Sequence, residues 1–311
     1  MMDSIVDHSR VMIRHGSKSF SAAARLLEQS TRESAYMLYA WCRYCDDQID
    51  DQHLGQNAGV PPSPKVARMA QLRHDTRRAL AGDAMQHPVF IALQRVIQRH
   101  LIPHRYPLEL LQGFAMDVEQ RHYQRFEDTL LYCYHVAGVV GVMMAYVMGV
   151  RDQPTLHRAA DLGIAFQLTN IARDVMDDAR AGRVYLPEGW LKEYGITADD
   201  LQQPKHRGAV FATVQRLLLE AEPYYQSALQ GLPRLDFRSA WAVATARGVY
   251  RDIGHLVAKA GPNAWERRAV VSRRRKIYRA LQGGAEALVT RYRGPLAQQT
   301  PQERLWRKPD P

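Results

Sequence analysis

A chain of 311 residues with 46% apolar side chains carries enough hydrophobic material for one large core. Lys and Arg outnumber Asp and Glu by 42 to 32, a formal charge of +10, which suits an anionic partner: a phosphate-bearing substrate, a nucleic acid or an acidic membrane. Three cysteines, an odd number, argue against a disulfide-built secreted fold and for a reducing, cytoplasmic setting.

The opening "MMDSIVDHSR" carries charge at once and reads as mature sequence rather than a signal peptide. Long stretches rich in Ala, Leu, Arg, Gln and Met, with few β-branched runs, predict an all-α fold in one domain over residues 1–311. In "HGSKSFSAA", Ser17 and Ser19 read in isolation as helix caps. Next comes "YAWCRYCDDQIDDQ", Tyr39 to Gln52. Asp46 and Asp50 are four apart on one helical face, Asp47 and Asp51 on the next, and Arg43 lies three before Asp46. Carboxylates this close repel and raise one another's pKa, and a bound divalent cation would compensate; all-oxygen ligands suit magnesium. The plainer reading is a solvated helix end. Cys42 and Cys45 form a C-x-x-C pair, but without a second pair or a preceding strand they read as ordinary helical cysteines.

Gly and Pro punctuation places breaks at Leu54–Lys65, His100–Pro107, Gly149–Thr155, Ala181–Trp190 and Ala260–Trp265. Between the second and third of these, Thr129–Val150 has no formal charge and is long enough to cross a bilayer. Its Tyr132, Tyr134, His135, Gly138 and Gly141, and its isolation in an otherwise amphipathic chain, favour a buried central helix. "FQLTNIARDVMDDAR", Phe166 to Arg180, then stacks Asn170, Asp174 and Asp178 on one side, three hard oxygen ligands in a row. Arg43, Arg173 and Arg183 beside the two acidic faces supply the forks a metal-bridged diphosphate requires. Further on, "RRAVVSRRRKIYR", Arg267 to Arg279, lacks any nucleic-acid-binding pattern and reads as a solvated face with, at most, weak attraction to anionic lipid. The tail from about residue 294 is expected to fray.

"DDQID" with "NIARDVMDD" followed by "GRVYLP", together with "HGSKSFSAA", "YCYHVAGVVG" and "ARGVYRDI", resembles the squalene and phytoene synthase family over nearly the whole chain, with the phytoene-forming bacterial members most similar. The resemblance implies a helical isoprenoid-synthase bundle around a central apolar cavity. It implies magnesium, with manganese as a substitute, held by Asp46, Asp50, Asn170, Asp174 and Asp178. Arg43, Arg173, Arg183 and Tyr185 match diphosphate-contacting positions, and Ser17, Lys18, Ser19 and Phe20 the segment where diphosphate and chain meet. Tyr39, Tyr132, Gln167 and Tyr250 match pocket positions, with Tyr132 counted among the catalytic ones; Val136, Ala137, Val140 and Gly141 match the tunnel wall.

The activity implied is head-to-head condensation of two geranylgeranyl diphosphates to phytoene through a cyclopropyl intermediate, in carotenoid biosynthesis. No nicotinamide and no nucleic acid are expected, whereas peripheral contact with the inner membrane face and hand-off to a desaturase are. Ala24, where shorter-chain dehydrosqualene synthases tend to carry an aromatic, favours the longer substrate. Competing readings are a dehydrosqualene or squalene synthase using farnesyl diphosphate, a head-to-tail chain extender, a terpene cyclase, and a non-catalytic helical assembly protein of the same fold. An extender would show a second D-D-x-x-D, a cyclase Ser or Thr then Glu in place of Asp174 and Asp178, and an assembly protein the loss of some metal ligands.

Overall fold

The computed structural model describes residues 4–50, 52–53, 56–57, 63–293 and 305–308, with the backbone alone for residues 18–19, 52–53, 56–57 and 292–293. Helices α1 (Ser4–Gly16), α2 (Lys18–Ala24) and α3 (Gln29–Asp50) precede a ladder of two two-residue strands, 52–53 against 56–57. There follow α4 (Lys65–Ala81), α5 (Pro88–His100), α6 (Arg105–Val118) and α7 (Phe126–Cys133); a π-helical turn, Tyr134–Gly138, leads into α8 (Val139–Val147). The rest is α9 (Gln153–Arg180), α10 (Glu188–Glu193), α11 (Arg207–Leu229), α12 (Phe237–Ala260) and α13 (Arg273–Arg293). The fold is all-α.

Local chemistry sets the ends. The Asp152 carboxylate accepts from Thr155 N at 3.1 Å and starts α9, with Pro154 in its first turn. Gly182, at φ +75°, turns the chain off the end of α9. The long helix α9 packs against α8, α11, α12 and the π turn, so apolar residues such as Leu156, Ile164, Leu168 and Val175 are buried around its circumference.

The apolar helix Phe126–Val147 is long enough by composition to span a bilayer, yet here it packs between α6 and α9. Several of its incompletely buried side chains, Val136, Ala137, Val140 and Met144, line an internal cavity. Glycine is required on both sides of its contact with α9: a Cβ at Gly163 would stand 2.2 Å from the Ala137 carbonyl oxygen, and one at Gly141 2.2 Å from that of Ala159. Gly138 packs against the Tyr134 ring and Ala160 and is absent from the cavity wall.

The docked segment 305–308 departs from the expected fraying. Trp306 lies against Tyr134, with ring centroids 6.0 Å apart, Arg307 Nη1 reaches the wholly buried Asp161 at 2.6 Å, and Lys308 Nζ reaches Glu109 at 2.7 Å. Burying Asp161 without a counter-charge would be prohibitive, and Arg307 supplies one, helped by the Ser227 hydroxyl.

Candidate active site

A cavity of about 850 Å³ runs along α9, from Thr155 to Arg173. At 1.5 Å per residue that is about 27 Å. One end is polar: Arg43 and Asp46 from α3, Asn170 and Arg173 from α9, with Ser17 and Arg268 beside them. One helical turn deeper, four residues before Arg43 and Asn170, come Tyr39 and Phe166, which join Phe20 and Tyr250 in an aromatic collar. Phe166 stacks on Tyr250 at 4.0 Å, and Phe20 meets Tyr250 edge-on at 6.0 Å. Below the collar the wall is mostly apolar, with Ala24, Leu27, Ala35, Leu38, Leu110 and Phe114 together with Ala137, Val140, Gly141 and Met144, and with Thr155 and Arg158 where the lining reaches the start of α9.

At the polar end carboxylates crowd faster than guanidinium groups can neutralise them. Arg43 pairs with Asp46 at 2.8 Å and with Asp47 at 2.7 Å; Arg183 pairs with Asp50 at 2.5 Å; Arg173 pairs with Asp174, which also meets Arg268 at 3.3 Å. Asp178 has no ion pair among the described residues. Burial, followed by repulsion from Asp50, raises Asp46 to about 7, although Arg43 pulls the other way. Burial likewise lifts Asp178 to about 8, with Arg183 pulling it down and Asp174, Asp50 and Asp117 pushing it up. The mutual influence of Asp46, Asp50, Asp117 and Asp178 shows that the two acidic faces, on separate helices, converge.

Asp117, on α6, is the functional candidate that sequence patterning misses. It accepts from Tyr185 at 2.8 Å and Tyr132 at 3.1 Å, whose rings stack with centroids 4.5 Å apart, and burial raises it to about 6. A lone Asp in "GFAMDVEQ" has no acidic partner four residues away to draw attention to it.

Of the expected site residues, Ser17, Phe20, Tyr39, Arg43, Asp46, Tyr132, Val136, Ala137, Val140, Gly141, Gln167, Asn170, Arg173 and Tyr250 line the cavity. Ser17 also caps α2, accepting from Phe20 N at 3.3 Å. Asp50, Asp174 and Asp178 stand off the wall, one or two turns outward from Asp46 and Asn170 along the same helices. Arg183 and Tyr185 are off the wall too: the turn at Gly182 carries them past α9, where Arg183 holds Asp50 and Tyr185 holds Asp117. The side chains of Lys18 and Ser19, and Asp51, lie outside the described residues. Cys42, Cys45 and Cys133 are free, and burial raises each thiol.

Three of the donors have the chemistry a divalent cation needs. The Asn170 Oδ1 atom is buried and accepts no hydrogen bond from the described residues, and Asp46 and Asp178 are carboxylates whose charge is under-compensated. Among the described residues, no three acidic, His or Cys side chains are already gathered into a metal cage.

The squalene/phytoene synthase family profile matches residues 13–275. The chain is 49% identical to the 15-cis-phytoene synthase of Pantoea ananas over 307 residues, 98% of each chain, and 50% identical to that of a Paracoccus strain over 89% of this chain and 90% of that one. Its fold is similar to that of a dehydrosqualene synthase solved with a ligand, with a TM-score of 0.82 and 27% identity over 92% of this chain and 97% of that one. A squalene synthase from Alicyclobacillus acidocaldarius shares the fold, with a TM-score of 0.71 and 23% identity over 83% of this chain and 94% of that one. With an acidic, arginine-flanked mouth set over an apolar tunnel, and with this similarity along nearly its whole length, the chain belongs to the squalene/phytoene synthase family.

Proposed function

We propose that this protein joins two geranylgeranyl diphosphates head to head to make phytoene, in carotenoid biosynthesis. The observation that carries this reading is the two-part cavity, a mouth of Asp46, Asn170, Arg43 and Arg173 above a long apolar wall, in a chain about half identical to phytoene synthases.

Asp46, Asp50, Asn170, Asp174 and Asp178 would hold magnesium, or manganese in its place, which neutralises charge on a departing diphosphate when bound. The chain's own residues do the rest. Arg43, Arg173 and Arg183 carry fixed positive charge to the same end and grip diphosphate oxygens left free. Once the first diphosphate leaves, the allylic cation lies under the collar, where the faces of Phe20, Phe166 and Tyr250 stabilise it through their quadrupoles. Closely packed apolar walls keep water from capturing the cation, so the alkene of the second substrate attacks it, a proton is lost and a cyclopropyl diphosphate forms; departure of that second diphosphate then drives rearrangement to the coupled cation. The Tyr132 hydroxyl, beside the wall and donating to Asp117, is placed to relay a proton to that carboxylate. The last cation then loses a proton, with no hydride donor required.

Small residues at the deep end, Ala24 and Ala35 among them, leave room for the longer substrate. The same reading puts the protein in the cytoplasm, at the inner membrane face, handing its product to a desaturase. Incubating the purified protein with magnesium and each prenyl diphosphate, without nicotinamide, tests it: phytoene from geranylgeranyl diphosphate is expected. A faster reaction of farnesyl diphosphate to dehydrosqualene would refute the chain-length assignment, and no hydrocarbon from either would refute the activity.

A further inference from the structure

Helix α13 has a fully engaged inner face and an outer one without a partner among the described residues. Inward, Gly283 brings its backbone so close to α12 that a Cβ would stand 2.8 Å from Thr245 N, the Trp241 indole donates to the Ala280 carbonyl at 2.6 Å, and Asp252 binds Arg275 and Arg279. Outward, Ile277, Tyr278, Leu281, Ala285, Leu288 and Val289 follow three- and four-residue spacing along one exposed face, with Leu281 69% accessible. Since the inner face already fixes the helix, packing among the described residues does not account for this apolar stripe.

Charge indicates what covers it. The first turn of α13 is Arg273, Arg274, Arg275 and Lys276, at the helix end where the macrodipole disfavours cations. Arg275 is held by Asp252, whereas Arg267, Arg273 and Arg274 have no ion pair among the described residues. The far end carries Arg291. A second copy of this helix, parallel or antiparallel, would therefore set basic end against basic end, while an anionic lipid leaflet satisfies both ends and the stripe together. Position adds to this. Val270, 69% accessible, also lines the cavity, as do Arg268 and Lys276, so the cavity opens beside the head of α13.

We propose that the outer face of α13, headed by the basic stretch 267–276, is the surface on which this protein rests against an anionic bilayer, with the cavity mouth at Val270 turned toward the lipid. The value of that orientation for releasing a hydrocarbon rests on the function proposed above; the surface itself does not.

The test uses the full chain without metal or substrate, sedimented with vesicles of phosphatidylcholine alone or with about one-third phosphatidylglycerol. Binding to the anionic vesicles, lost in about 0.5 M salt and absent with neutral vesicles, is expected. Arg273→Glu with Arg274→Glu should weaken it more than about tenfold, since each cation near an anionic leaflet contributes about fivefold. Leu281→Glu with Leu288→Glu should do the same although the arginines remain; if that pair fails to fold by circular dichroism, Leu281→Gln reads the same face more gently. Undiminished binding by folded variants overturns the proposal, as does binding to neither vesicle type, or a dimer in sedimentation velocity that Leu281→Glu dissolves. Both sets of variants should keep their rate on detergent-dispersed geranylgeranyl diphosphate within about twofold, because neither stripe nor arginines touch the cavity. Vesicle binding that behaves as expected in a protein making no hydrocarbon would uphold the surface and refute the activity.

Discussion

Between α12 and α13, Arg279 and Arg275 close around the single carboxylate of Asp252; at the cavity mouth, Asp46, Asp117 and Asp178 sit where carboxylates outnumber guanidinium groups. Burial disfavours ionisation at both places. At Asp252 the two arginines outweigh it and bring the carboxyl down to about 2, whereas at the mouth burial and mutual repulsion win and push Asp46 to about 7 and Asp178 to about 8. The same residue types thus build a saturated clamp in one region and a site short of positive charge in the other. A carboxylate cluster left under-neutralised inside a protein marks where a cationic ligand belongs.

Breaking the mouth should give the largest effect. Asp46→Asn or Asp174→Asn is expected to cost about a thousandfold in turnover while the helical circular dichroism spectrum stays unchanged; parent-like rates in either would remove the metal assignment. Opening the clamp instead, by Asp252→Asn, leaves Arg279 without its counter-charge and should cost about 3 kcal/mol of stability, read from the denaturant midpoint, with little change in rate at 25 °C. If it were turnover that collapsed, the two regions would not be functionally distinct. Ala137→Phe fills the tunnel below the mouth and should lower kcat/KM for geranylgeranyl diphosphate about tenfold or more, and for farnesyl diphosphate less. Equal losses would place Ala137 away from the chain-length-sensitive wall.

The smallest effect is on pH dependence. A carboxyl raised in the folded state keeps a proton that the unfolded chain has lost, so between about pH 4 and pH 8 Asp178 makes the metal-free protein less stable as pH rises. Asp178→Asn removes that liability. Its metal-free melting temperature should exceed the parent's by about 2 °C or more at pH 8, the gap narrowing toward pH 5. A gap that widened toward acid would mean the Asp178 pKa is depressed, as at Asp252.

What the sequence made legible was whatever repeats at helical spacing. Asp46 with Asp50, and Asn170 with Asp174 and Asp178, stand out because i, i+4 periodicity identifies a shared face before any tertiary contact is known. Asp117 could not be found that way, because its importance comes from Tyr132 and Tyr185 on other elements. Nor could Arg183 and Tyr185 be placed, since the left-handed turn at Gly182 decides where they go. The π turn at Tyr134–Gly138 was invisible within a uniformly apolar run, where hydropathy does not tell one helical pitch from another. In Arg267–Arg279 the charges masked the order: the apolar face emerges only when α13 is continued to Val289 and its inner side is seen engaged by α12.

The ion pair between Asp161 and Arg307 spans 146 positions of chain. While a ribosome is still making that interval, Asp161 has emerged but its principal counter-ion has not, and sealing the middle of α9 would leave the carboxylate only Arg158, at 3.9 Å, as a counter-charge. Full neutralisation of this part of the core therefore waits for the arrival of residue 307, which makes the pair a late, long-range step in assembling α9.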